Sequence, residues 1–179
     1  MAYTFDEPRV GLLQIANTDS GFVPPNQATA IPTPPNVLGM IVRAFDPVYG
    51  EGEFILLPGI ANTTVGSVVT YNATTYATTL SANTAGAGQP LAVAMSANIV
   101  ATTFGWYQIG GLAVIKKTAV KVNPQVAIFQ SATTGRIMPT TASGKEILGA
   151  KTANLATIAS ATSTVIVLIN RPHSITAVT

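Results

Sequence analysis

The chain has 179 residues, no cysteine, a formal net charge of +2, and 9% charged against 47% hydrophobic residues. Its length fits one domain with an appended arm, or two very small domains, and suffices for a buried core, while the missing thiols exclude disulfides and thiolate metal sites. The bases form no dense stripe and no apolar run approaches the roughly 20 residues of a bilayer span, so neither nucleic acid nor a membrane is an expected partner.

The N-terminal Met1–Pro8 lacks the basic start and apolar centre of a signal peptide, so the chain is expected to be made in the cytoplasm and not exported by that route. Residues 1–36 read as an extended arm with one strand over Arg9–Ile15. Five prolines fall between Pro24 and Pro35; they fix φ and remove backbone donors, which keeps this stretch out of a sheet interior. Yet Tyr3, Phe5, Leu12, Leu13, Ile15, Phe22 and Ile31 are too apolar for a tail that stays solvated. The arm is therefore expected to order against a neighbour, through Tyr3, Phe5, Phe22, Pro24, Pro25 and Ile31.

Residues 37–179 form the body, and strand signals follow one another along it. They cover Val37–Phe45, Glu53–Leu57, Ser67–Tyr71, Thr75–Leu80, Leu91–Met95, Phe104–Ile109, Leu112–Lys116, Gln125–Gln130 and Val165–Asn170. Turn-forming clusters separate them at intervals of roughly 8–15 residues, as in an antiparallel β-barrel or sandwich. The expected class is all-β, with one weak helical piece over Leu155–Ala161.

An internal duplication is also readable. Val68-Val-Thr-Tyr-Asn72 resembles Val126-Ala-Ile-Phe-Gln130, and Ala-Thr-Thr follows at Ala73 and Ala132. Leu91–Ala94 then matches Ile147–Ala150, and Phe104–Ile109 matches Val165–Asn170. Two related β-units over about 63–115 and 121–172 would explain this; a chain of such low complexity also makes similar matches by chance.

The charge pattern argues against catalysis. No charged side chain occurs among the sixty-two residues from Phe54 to Ile115, so a third of the chain lacks the groups that most enzyme chemistry needs. His173 is the only imidazole and sits in a closing segment. Paired carboxylates for catalysis would have to come from Asp46, Glu51 and Glu53, with Glu51 and Glu53 on one strand face. They would serve a hydrolase or a hard cation, but the segment reads first as a solvated turn. Gly50–Gly52 and Gly86–Gly88 continue into no dinucleotide fingerprint. Lys116, Lys117 and Lys121 read as a strand end facing solvent or a partner's carboxylates. Trp106 and Tyr107, with Tyr71 and Tyr76, would make a sugar-stacking platform if exposed, and core or interface packing if not. No catalytic, metal or cofactor site is expected.

The segment Arg43-Ala-Phe-Asp-Pro-Val-Tyr-Gly-Glu-Gly-Glu-Phe-Ile-Leu-Leu-Pro-Gly-Ile60, with Thr64–Tyr71, Leu91–Met95, Phe104–Ile109 and Val165–Pro172, resembles virion proteins of tailed bacteriophages. The similarity spans most of residues 43–172 and leaves the arm outside. The pattern also resembles the broader class of small capsid decoration, or cement, proteins. The resemblance implies a β-rich homotrimer on the outside of the phage head, bridging copies of the major capsid protein. A glycan-binding fibre or adhesin module and a tail or baseplate subunit are the alternatives.

Overall fold

A computed structural model describes residues 3–6, 11–23, 25 and 32–176. The protein is all-β. Its twelve strands are β1 (Thr4–Phe5), β2 (Thr18–Asp19), β3 (Ile41–Asp46), β4 (Gly50–Pro58), β5 (Val68–Tyr71), β6 (Thr78–Leu80), β7 (Leu91–Ala94), β8 (Phe104–Lys116), β9 (Ala127–Gln130), β10 (Ile137–Met138), β11 (Glu146–Thr152) and β12 (Thr164–Ser174). They form one antiparallel sheet with the path β1-β3-β4-β8-β12-β11-β9-β10, from which β2, β7, β5 and β6 branch.

The period of two explains the local structure. In β3 every second residue is buried, and Val42 and Ala44 face inward while Ile41, Arg43 and Phe45 face out. In β4 and β8 this alternation gives way to continuous burial over Phe54–Leu57 and Phe104–Gly110, because both faces of these strands are covered. One face carries Phe54, Leu56 and Trp106 in a core with Ile15, Val42, Met95 and Phe104; the other carries Ile55, Leu57, Tyr107 and Ile109 with Val69, Ala92 and Ala94.

β8 is a single strand where the sequence predicts two. It bends at Gly110–Gly111, opposite a register shift between Glu53 and Phe54 of β4. Gly111 has φ +91°, and a Cβ there would strike the Glu51 carbonyl. Past the bend, Lys116–Gly110 pairs with Thr164–Asn170 of β12. The sheet thus folds over on itself. Val68, Leu91 and Val93 from one half meet Ala113, Ile115, Ile128, Ile137, Ile147, Val165, Val167 and Ile169 from the other. The halves touch along one margin, where Val68 N donates to Gly135 O at 2.9 Å and Gly135 N to Ser81 O at 2.9 Å. The ladders do not close into a barrel, so of the two expected architectures the structure is nearer the sandwich.

The same pairing scheme occurs twice. β5 pairs with β6 and β7, and β7 with β8. β9 pairs with β10 and β11, and β11 with β12. Backbone conformation repeats as well: left-handed residues at 66, 76, 86 and 111 have counterparts at 125, 135, 144 and 171, 58–60 positions on. The last strands of the two units, β8 and β12, pair with each other.

Two expectations are corrected. No helix forms over Leu155–Ala161; the segment makes turns and a bridge between Val122 and Ile158, in keeping with its Thr and Ser content. No strand occupies residues 11–15, while Arg9 and Val10 lie outside the described residues. Instead β1 and β2 join the sheet edges, and Tyr3, Phe5, Leu12, Leu13 and Ile15 pack on the chain's own Phe54, Leu56 and Trp106.

Candidate interaction surface

The arm is anchored by aromatic contacts and by buried donors. Tyr3 stacks edge-on against Phe54 at 4.8 Å between ring centroids, and Phe5 against Trp106 at 6.2 Å. The Trp106 indole N–H donates to Leu13 O at 2.7 Å, which satisfies a ring with no exposed surface. The Tyr3 hydroxyl donates to Leu112 O at 3.1 Å, and burial pushes its pKa up to about 12. Of the six expected contact residues, Tyr3 and Phe5 therefore serve intramolecular packing. Phe22 and Pro25 are exposed, and Pro24 and Ile31 lie outside the described residues.

Phe22 stands at the end of the β4–β8 pair marked by Pro58 and Phe104, and four loops leave from there. Residues 20–23 follow β2, which pairs with Phe104 and Gly105. Residues 32–40 return through a bridge between Phe22 and Thr33 and meet β4 where Gly39 N donates to Leu56 O at 2.9 Å. Residues 59–67 and 95–103 are joined by Gly59 N to Thr103 O at 2.8 Å and Ile60 N to Asn98 O at 3.0 Å. None of the four loops contains a charged residue. From them project Phe22, 62% exposed, Val37, 79%, and Ile99, 54%, together with exposed Val65 and Val100. Isolated exposed apolar residues are ordinary; here several stand on loops that leave from one end of the β4–β8 pair.

A buried polar cluster holds two of these loops. Asn98 has almost no exposed surface. Oriented to satisfy its neighbours, its amide oxygen accepts from Gly59 N at 3.1 Å, Gly105 N at 3.2 Å and the Tyr107 hydroxyl at 3.2 Å, and its nitrogen donates to Thr103 Oγ1 at 2.5 Å. The Tyr107 hydroxyl also lies 3.3 Å from Pro58 O, and desolvation raises its pKa to about 12. The Thr78 hydroxyl donates to the same Pro58 carbonyl at 2.8 Å. These bonds fix the loops before any partner arrives, which lowers the entropy lost on binding. Sequence reasoning missed Asn98, although a lone Asn between an apolar strand and Ile99-Val100 was a readable sign of side chain to backbone bonding.

The remaining candidates resolve by position. Trp106 and Tyr107 have zero exposure, so the sugar-stacking platform they would have formed does not exist on the surface. Glu51 and Glu53 line an open groove of about 510 Å³ with Arg43, Asn170 and Arg171. Arg43 reaches Glu51 at 3.4 Å and Glu53 at 3.2 Å, and Arg171 reaches Glu53 at 3.5 Å. Exposed pairs of this kind contribute little to stability. His173 is exposed, with Nδ1 3.4 Å from Arg171 O. No group of three metal-ligating side chains occurs among the described residues, and none of their helices is long and apolar enough to cross a membrane.

The three lysines separate. Lys121 is exposed, and the Lys116 amine reaches the Thr64 hydroxyl. Lys117 is 1% exposed, against expectation. Its amine donates to Thr118 O at 3.2 Å, Val120 O at 2.8 Å and Ser160 O at 3.3 Å, tying the segment after β8 to the loop before β12. Burial lowers its pKa. No protein-family model matches the chain, and no curated protein matches it.

Proposed function

We propose that this chain is a structural virion protein that binds the outside of a tailed-phage head and cements neighbouring major capsid subunits, with copies of itself as further partners in a homotrimer. The observation that carries this reading is the loop end where Phe22, Val37, Ile99 and Val100 stand exposed on loops that contain no charged residue. Such an end is poorly solvated alone and complements a neutral protein surface. The resemblance of residues 43–172 to virion proteins gives the surface its context. Weak individual contacts suffice in this role, because many copies on one shell act together.

Purified chain is mixed with empty heads built from the major capsid protein and sedimented, after light scattering has given its solution mass. Cosedimentation that Val37→Asp abolishes supports the reading. A chain that stays in the supernatant contradicts it. The glycan-binding alternative requires sugar-dependent signal on an array, and the buried Trp106 and Tyr107 deprive it of its expected platform.

A further inference from the structure

The register of β4 on β8 returns in the register of β8 on β12. Phe54 opposite Gln108 and Leu56 opposite Trp106 in the first ladder correspond to Leu112 opposite Leu168 and Val114 opposite Ile166 in the second, 58 positions on along the first strand and 60 along the second. The inner faces correspond too: Ile55 and Tyr107 lie in one core, Ala113 and Val167 in another. The opposite faces differ in their cover. In the first unit Phe54, Leu56 and Trp106 are fully buried, with Tyr3, Phe5, Leu12, Leu13 and Ile15 of the arm packed on them. In the second unit Leu112, Val114 and Ile166 are half-buried and Leu168 is 42% exposed. Among the described residues, none of these four is part of a core cluster.

Leu112 with Leu168 and Val114 with Ile166 are direct cross-strand neighbours, so the four make one contiguous apolar patch. An antiparallel strand with one solvated face alternates apolar and polar residues, as β3 does with Arg43 facing out. β12 instead carries Val165-Ile-Val-Leu-Ile169, the unbroken apolar run that β4 shows where both its faces are covered. We infer that the patch is a docking face for an extended apolar segment of another protein, laid across β8 and β12 as the arm is laid across β4 and β8. What covers the equivalent face says what fits this one. There the segment presents Tyr3 and Phe5, two residues apart, to Phe54 and Trp106, and Asp6 and Glu7 follow them in sequence. The patch suits the same chemistry. It is aliphatic in the middle, with Lys116 at one end opposite Thr164 and Lys151 opposite Leu168, so acidic residues flanking an apolar segment would meet amines. A second copy's arm is not the supplier. Each chain has one arm and two such faces, and lending the arm would uncover its own Phe54, Leu56 and Trp106. The inference goes beyond the cementing role and uses a face apart from the four-loop end.

The probe is a fluorescently labelled peptide with the sequence of residues 2–16, which carries the chemistry of the covering segment. It is titrated onto the full chain and followed by anisotropy. Saturable binding that Leu168→Asp weakens by about tenfold or more supports the inference, because the aspartate would bury a carboxylate without a partner. Leu168→Thr keeps β propensity and replaces the aspartate if the melting temperature falls. A peptide that does not bind the unaltered chain overturns the inference. So does one that binds Leu168→Asp as tightly as the unaltered chain, since it has then displaced the chain's own arm from Phe54 and Trp106. An oligomer in light scattering that Leu168→Asp converts to a monomer overturns it as well, because a second copy then holds the face.

Discussion

Replacing Asn98 by alanine is the sharpest test of how the loop end is held. The change removes an acceptor shared by Gly59 N, Gly105 N and the Tyr107 hydroxyl and a donor to Thr103, in a site from which water is excluded. An unsatisfied buried donor costs about 1–3 kcal/mol, and the new cavity rehydrates some of them, so the expected loss is about 3–4 kcal/mol. For a chain of this size that is a fall in melting temperature of roughly 6–16 °C. Asn154→Ala provides the comparison. That amide donates to Val122 O and Ala156 O, and its Oδ1 has no partner, so only carbonyl oxygens lose a bond. The expected loss is about 1–2 kcal/mol. Urea unfolding followed by tyrosine and tryptophan fluorescence measures both. An Asn98→Ala variant within 1 kcal/mol of the parent, or an Asn154→Ala variant that loses more than Asn98→Ala, would refute the assignment of Asn98 as the loop anchor.

Other expected outcomes follow from the same packing. Trp106→Phe removes the donor to Leu13 O and loosens the arm, so proteolysis within residues 11–17 should accelerate while the body stays intact; unchanged cleavage would mean that Trp106 does not hold the arm. Tyr3 and Tyr107 have pKa values raised to about 12 in the folded state, so the stability they contribute is complete below pH 10 and lost between about pH 10 and 12. Ultraviolet titration should show these tyrosinates forming late, together with unfolding. Lys117, with its pKa lowered, acts in the opposite sense: its contribution is present above the ordinary lysine range and declines as pH falls through the depressed value. An amine-reactive ester should label Lys121 and Lys151 and spare Lys117 in the native protein; early labelling of Lys117 would contradict its burial. Glu53→Ala should change stability by less than about 1 kcal/mol, because its ion pairs are exposed.

Strands were legible where side chains alternate or run apolar. β3, β4, β5, β7 and β9 fall inside or close to their predicted spans, since β-branched runs bounded by Gly, Pro and Asn have few other folds open to them. β8 was read as two strands because Gly110-Gly111 looks like a break in one dimension; in three it is the bend that lets one strand serve both halves. β1, β2 and β10 are two residues each, too short for any period to register. The arm was misread for a different reason. Its apolar content correctly signalled burial, but composition does not say against which surface, and Tyr3, Phe5 and Ile15 find theirs on the chain's own β4 and β8. Lys117 was read as solvated because charge predicts exposure, and only the fold shows three carbonyls converging on its amine. At the interaction surface, the lack of charge was visible from Phe54 onward. That four uncharged loops leave from one end depends on long-range pairing, which no local pattern encodes.

Removing residues 2–36, on this account, does more than detach a tail. It uncovers Phe54, Leu56 and Trp106, and the truncated body should melt well below the full chain. A truncated chain as stable as the parent would show that the arm's packing contributes nothing.

The central claim is tested most directly by imaging heads incubated with the full chain by electron cryomicroscopy. The account predicts density on the outside of the shell, with the loops 20–23, 32–40, 59–67 and 95–103 directed at the capsid subunits and each chain touching two of them. Bare heads, or chains attached through the groove of Arg43, Glu53 and Arg171 with the uncharged loops facing solvent, would contradict it.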